Sequence, residues 1–260
     1  IMLMNALLSL SRQPNRQIIV TTHVPALAGL IPVEGIRYVT KDADGQPVVK
    51  MPDDAVLREA TESLGVLPET GMERAKGIVL VEGKSDVTFL RHAGKCLKQS
   101  GDIPASLEDV NIVPILIGGC GSVKHWVTLN LANDLGLPWC VFLDSDIGGD
   151  PAQVLSIEKR KKEVEEAGKM FFATRKREIE NYLCPGLIRD ETGVQVVFTD
   201  TCDAKKIIGR ATSTKPNDVL DRFWPLMTAE KIITCSTYRD GNDDKIELIE
   251  LLEGIVSLVD

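Results

Sequence analysis

The chain reads as an α/β fold: a mainly parallel sheet flanked by helices, with an additional helical segment near the C-terminus. Three observations predict this. Short apolar runs at 78–81, 110–117, 139–143 and 170–173 show no polar alternation, as suits strands buried on both faces. Helix-period segments at 84–98, 122–135 and 150–168 separate them. The loops between are short, the pattern of repeated strand–helix units covered on both sides.

Taken in order, residues 1–74 open with a helical stripe (Met2, Leu3, Ala6, Leu7, Leu10) that has no capping residue ahead of it and reads as part of something longer. Residues 17–22 form a short buried-strand pattern that runs into His23, Val24 and Pro25. A hairpin is expected over 36–51, turning at Asp44-Gly45, and a helix over 55–64. Gly65, Pro68 and Gly71 then mark a domain border near residue 74. Residues 75–184 hold the strand–helix units. The run 158–166 mixes both charges and reads as a solvated helix face. Residues 185–260 are expected to be helical and to close with an amphipathic helix at 243–259, carrying Ile246, Leu248, Ile249, Leu252, Ile255 and Leu258.

The 260 residues give room for one large or two modest domains. A formal net charge of −8 argues against a generic nucleic-acid coat. It leaves room for a nuclease, whose metal site needs carboxylates while basic groups act locally. The cysteines (96, 120, 140, 184, 202, 235) are scattered without a CxxC, as expected of reduced thiols in an intracellular protein. No apolar run approaches the roughly 20 residues of a membrane span, and no signal-peptide pattern is seen. A cytoplasmic protein without a membrane partner is the expectation.

The chemistry-bearing residues follow the strands. Glu82 and Asp86 leave the first strand together, at a turn where Gly83 is expected to let the backbone bend sharply. Asp144 and Asp146 leave the third. Open α/β sheets place ligands beyond the carboxyl ends of their strands. If strands one and three are neighbours, four carboxylates gather there, and they cannot all stay ionised without cations. Hard oxygen donors suit Mg²⁺ or Mn²⁺ rather than Zn²⁺. The competing reading makes Asp144 and Asp146 helix caps and Glu82 a loop carboxylate. Two such pairs, each directly after a buried strand, favour the cation site. Gly118-Gly119-Cys120-Gly121-Ser122 lies at the same sheet edge, as a tight turn or as room for a phosphate backbone. His92 and His125 show no metal-binding spacing and read as structural.

EGKSD at 82–86 with DSD at 144–146 resembles the Toprim domain of topoisomerases, primases, RNA-maturation nucleases, recombination mediators and OLD-family nucleases. TTHVPAL at 21–27 resembles the last core strand of ABC ATPases with its switch histidine, here His23. REIENYL at 177–183 resembles the acidic motif of the OLD (overcoming lysogenisation defect) nucleases, in which an ABC ATPase precedes a Toprim domain. Tyr38, Tyr182 and Tyr238 have no strand-breakage context, which disfavours a topoisomerase, and no basic N-terminal lobe suggests a primase.

The OLD resemblance implies a metal-dependent DNA endonuclease that nicks or cleaves by a two-metal Mg²⁺/Mn²⁺ mechanism. It implies metal ligands at Glu82, Asp86, Asp144 and Asp146, joined by Glu180 or Glu178, with Glu180 the better match. Glu82 and Asp144 would be catalytic, with a lysine from the C-terminal segment, Lys245 or failing that Lys231. Residues 1–74 would be an ATPase tail and linker, 75–184 the catalytic domain, and 185–260 a helical insertion and closing helix. No GxxxxGK[ST] loop occurs, so this chain alone is not expected to hydrolyse ATP. DNA is the expected partner, with dimerisation through the ATPase part and a helicase as further partner. Arg175, Lys176 and Arg177 are candidates for DNA phosphates, with Lys205, Lys206, Arg210 and Lys215 as a second basic patch. A non-catalytic Toprim scaffold and an RNA-cleaving enzyme are the alternatives.

Overall fold

The computed structural model describes residues 74–117 and 137–259, and only scattered residues before 74, chiefly 15–21, 37–42 and 45–50. Two compact units are present, Ile1–Arg74 and Ala75–Asp260. Thr22, His23, the expected helix at 55–64, the glycine-rich loop at 118–122 and the helix at 122–135 lie outside the described residues.

In the first unit, β1 (Tyr38–Lys41) and β2 (Pro47–Lys50) pair antiparallel, Tyr38 opposite Lys50. Asp42 accepts the Gln46 N–H at 2.9 Å, and Gly45, at φ +80°, supplies the left-handed residue of the turn. The hairpin read from the sequence is therefore present. The buried strand expected from residue 17 is not: residues 17–21 are irregular, and Ile19 is 81% exposed. A strand is held by a neighbouring strand, and none pairs with it among the described residues.

The second unit is built on β3 (Gly77–Val81), β4 (Ile112–Leu116), β5 (Trp139–Leu143) and β6 (Met170–Ala173). Their order is β4-β3-β5-β6, every pairing parallel. The two central strands are buried along their whole length, the physical counterpart of their unbroken apolar runs. Helix α1 (Lys84–Ser100) follows β3 and buries Phe89, Leu90, Ala93 and Leu97. Helix α2 (Pro151–Glu166) joins β5 to β6; it buries only Ile157 and Val164, so its charged side faces water as expected.

After β6 come a 3₁₀ turn (Ile179–Tyr182) and helices α3 (Pro185–Thr192), α4 (Ala204–Thr212), α5 (Val219–Phe223) and α6 (Ala229–Ser236). The last expected helix divides. Residues Thr237–Asp240 and Asp243–Ile246 form a hairpin, β7–β8, and α7 (Glu247–Val256) begins only after it. Gly241 at φ +62° turns the hairpin, and the polar Asp243, Asp244 and Lys245 offer no apolar face for a longer helix to bury.

The helical segment is continuous with the sheet core. The Phe89 ring lies 4.5 Å from Trp224, 5.6 Å from Tyr182 and 6.1 Å from Phe142, so α1, β5, the 3₁₀ turn and the segment after α5 meet at one point. The Trp224 indole N–H donates to the Phe89 carbonyl at 3.1 Å. Among the described residues, no helix is long and apolar enough to cross a membrane, and Cys96, Cys140, Cys184, Cys202 and Cys235 are free thiols.

Candidate metal centre

Because β3 and β5 are neighbours, with Val81 beside Phe142, the turns carrying Glu82 and Asp144 leave the sheet side by side. Asp86 folds back onto its own turn: its carboxylate accepts the Gly83 N–H at 2.7 Å, stapling the start of α1. Gly83 itself is extended (φ −146°), and an added Cβ would meet only Asp86 Oδ2 at 3.9 Å. The sharp bend expected from glycine's freedom is therefore made by the Asp86 cap.

The second pair does not cap the helix after it. Asp150 does that, accepting the Ala152 N–H at 2.9 Å. Asp144 reaches sideways, Oδ1 accepting the Ile179 N–H at 3.0 Å. Asp146 adopts φ +53°, a left-handed conformation that Asp tolerates better than most residues, and its N–H donates to the Arg177 carbonyl at 2.9 Å. Ser145 completes the seam, its N–H donating to Thr174 Oγ1 at 2.9 Å and its hydroxyl to the Lys176 carbonyl at 2.6 Å. These bonds lock 144–146 to 174–177.

The acidic motif after β6 closes the site. The Glu178 N–H donates to Asn181 Oδ1 at 3.2 Å, and Asn181 Nδ2 donates to the carbonyls of Thr199 (2.7 Å) and Cys202 (3.1 Å). The segment 199–203 is thereby drawn in so tightly that a Cβ on Gly148, already at φ +76°, would stand 2.6 Å from the Thr201 carbonyl oxygen. Behind the motif, Glu247 of α7 accepts the Arg175 N–H at 2.6 Å.

Electrostatics show how closely the carboxylates gather. Burial pushes Asp86 up to about 6, against the Gly83 hydrogen bond and with the charge of Glu82. Burial lifts Asp144 well above the ordinary carboxylate range, and the charges of Asp86, Glu180 and Glu178 add to it. Glu180, 1% exposed, is pushed up to about 7 by burial, against the charge of Lys205 and with that of Glu178. Burial also raises Glu178, against the N–H and charge of Lys205, and raises Asp146, against Arg177 and Lys205. Glu82 is exposed at the rim.

A divalent cation fits this donor set. All the side-chain donors are carboxylate oxygens, they repel one another, and Glu180 Oε2 is buried without a hydrogen-bond partner among the described residues. As they stand, no three His, Cys, Asp or Glu side chains among the described residues are arranged to hold a metal ion. Asp86, Asp144 and Glu178 each turn an oxygen onto a backbone N–H, and Glu180 turns one toward an ammonium.

Of the expected site residues, the structure brings together Asp86, Asp144, Glu178 and Glu180, with Asp146 and Glu82 beside them. It does not bring Lys245. That residue lies on β8, its ammonium 2.6 Å from Asp240 and 4.0 Å from Glu250, because the hairpin replaces the expected helix start. Lys231 lies in the first turn of α6, its N–H capped by Thr228. Among the described residues, the lysine that meets the cluster is Lys205, 3.4 Å from Glu180 Oε1, which the sequence grouped with a basic patch. No fixed spacing from the motifs signals it. The expected DNA contacts are also engaged elsewhere. Arg175 stacks on the Tyr238 ring at 3.7 Å, Lys176 pairs with Asp200 at 2.9 Å, and Arg177 lies 3.8 Å from Asp203. Of the second patch, Lys206 pairs with Asp203 at 2.9 Å.

Residues 75–146 match the family model described as "Overcoming lysogenization defect protein-like, TOPRIM domain". No curated protein matches. Among solved structures, the C-terminal region of the Burkholderia pseudomallei OLD protein is 17% identical, with a TM-score of 0.44, covering 72% of this chain and 99% of that one. The C-terminal region of the Xanthomonas campestris pv. campestris OLD protein is 13% identical, with a TM-score of 0.42, covering 71% and 96%. Residues 75–146, which include β3, β4 and β5 of the parallel sheet, are thus similar to the Toprim domain of OLD-like proteins.

Proposed function

We propose that this chain is the nuclease part of a metal-dependent DNA endonuclease, nicking or cleaving DNA by a two-metal phosphodiester hydrolysis. The observation that carries the reading is the set of buried, mutually repelling carboxylates at the ends of β3 and β5, with one Glu180 oxygen left without a partner. Glu82, Asp86, Asp144, Asp146, Glu180 and Glu178 would hold Mg²⁺ or Mn²⁺. When bound, such ions supply an activated water and stabilise charge on the leaving oxygen.

The chain's own contribution is orientation and dryness. The Ile179 N–H fixes one Asp144 oxygen, the Thr174–Lys176 seam fixes the turn that carries it, and the Gly83 N–H fixes one Asp86 oxygen in the first turn of α1. Glu180 and Glu178 stand buried at the back, away from competing water, while Glu82 stands at the rim where a phosphate backbone approaches. In the intact protein the activity is coupled to an ABC ATPase region that also dimerises it, with a helicase as further partner.

The test is cleavage of supercoiled plasmid with Mg²⁺ or Mn²⁺ by the chain and by its Glu82→Ala and Asp144→Ala variants. Activity that survives both substitutions overturns the assignment, and a parallel RNA substrate distinguishes the nucleic acid cut. A second reading is a Toprim scaffold that binds without cutting. Chelator-independent DNA binding with no cleavage under either metal would select it.

A further inference from the structure

Lys205 sits in the first turn of α4, after its cap Asp203. Its main chain and side chain grip the acidic motif at two points. The N–H donates to Glu178 Oε1 at 2.9 Å, and the ammonium lies 3.4 Å from Glu180 Oε1. Its charge is felt at Asp86, Asp144 and Asp146 as well. The Glu180 side chain is 2% exposed and that of Lys205 is 32% exposed, so the pair joins a sealed carboxylate to a cation with a way out to solvent. The adjacent Lys206 is turned away, onto Asp203.

A buried carboxylate needs a cation, a proton or several hydrogen bonds. Glu180 has the first of these from Lys205 on one oxygen and, among the described residues, no hydrogen-bond partner on the other. An ammonium and a divalent cation on the same oxygens repel each other, and a lysine stem is flexible enough to carry its charge away.

From this geometry we propose that Lys205 is a tethered counter-ion of the carboxylate cluster, which a divalent cation displaces toward solvent when it binds. The inference rests on the metal-centre reading above. Lys205 then acts as a positioning residue: it holds the metal-free carboxylates together and sets how strongly they take up an ion. Its removal relieves a competitor, so the divalent cation binds more tightly although the metal-free protein is weakened.

The experiment is calorimetric titration of Mn²⁺ into the chain at pH 8, with the Mg²⁺-induced rise in Tm measured alongside, for wild type, Lys205→Met and Lys205→Arg. Lys205→Met is expected to bind Mn²⁺ about five- to tenfold more tightly, the size of an ordinary coupling between two ligands, and to show a larger rise in Tm. Lys205→Arg keeps the charge and is expected to stay near wild type. Unchanged or weaker binding by Lys205→Met, with wild-type binding intact, overturns the counter-ion role alone. Wild type that binds neither ion overturns the metal centre and this inference together.

A purely structural role would lower the Tm of Lys205→Met without changing its metal affinity. Should Lys205→Met fail to fold, acylation of Lys205 in wild type, followed by mass spectrometry, carries the test. Its labelling is expected to rise when Mg²⁺ is added, and constant or reduced labelling overturns the proposal.

Discussion

Glu82–Asp86 and Asp144–Asp146 follow strands of the same kind, both buried throughout, yet the two turns use their carboxylates differently. After β3 the helix starts at once, and Asp86 must serve as its N-terminal staple. After β5 the chain makes an extra turn through Gly148 and Gly149 before α2, and Asp150 takes the capping duty. Asp144 is thereby released from local work and points across to the motif after β6. The distance from strand end to helix start decides whether a carboxylate bonds within its own turn or reaches across to a neighbouring segment.

The largest effect that would sharpen this contrast is on cleavage. Asp144→Asn is expected to reduce plasmid cleavage by more than the roughly 10–100-fold that outer-shell changes cost at metal sites, while far-UV circular dichroism stays native. Near-native cleavage by Asp144→Asn would show that the freed carboxylate is idle.

Next in size is the pH dependence of the metal-free protein. Asp86 at about 6 and Glu180 at about 7 lie above their ordinary 3.8 and 4.5, so the folded state favours their protonated forms. Stability is therefore lost as pH rises from the ordinary values through the raised ones. Asp109, held at about 2 chiefly by Lys98, is already ionised there and does not mask the trend. In chelator, the cluster should cost roughly 1–3 kcal/mol between pH 5 and 7.5, read as a falling Tm that Mg²⁺ reverses. A Tm that rises over that window would contradict the buried cluster.

The two caps give a smaller test. Asp150→Ala should cost about 1 kcal/mol of stability, the usual value of an N-cap, with cleavage retained. Asp86→Ala should cost both stability and cleavage, since one carboxylate serves both. Denaturant unfolding beside plasmid assays separates them, and equal loss of cleavage in both variants would erase the distinction between the turns.

The smallest effect is expected at Lys176, whose partner Asp200 is 69% exposed. Lys176→Ala should change stability by less than about 1 kcal/mol and lower the salt dependence of DNA binding only slightly, because the ammonium already has a partner. A large loss in a salt-titrated binding assay would restore it as a DNA contact.

These contrasts also mark what the sequence could and could not convey. β3 and β5 were legible because a strand buried on both faces leaves an unbroken apolar run, and the less buried edge strands β4 and β6 keep short apolar runs of their own. Glu82, Asp86, Asp144 and Asp146 were legible because they follow the ends of β3 and β5 within a few residues. Lys205 was not, since its approach to Glu180 depends on Asn181 drawing in 199–203, a tertiary bond with no spacing rule. The start of the last helix was misplaced because helix period was read through residues 243–246, where a polar hairpin that carries Lys245 intervenes. Between Glu178 and Glu180 the sequence favoured Glu180 only through its match to the family motif. Burial separates their surroundings, one bonded to a main-chain N–H and the other facing an ammonium with an oxygen to spare.

The bond from the Trp224 indole to the Phe89 carbonyl has a practical consequence for anyone trimming this chain. It fastens the far C-terminal segment to α1, the helix that carries Asp86 in its first turn. A fragment cut after the 3₁₀ turn at Tyr182 would keep every carboxylate motif and still lose one face of the aromatic cluster around Phe89. The smallest piece worth expressing is therefore set by a tryptophan well downstream of the last acidic residue of the motif, and not by the motif itself.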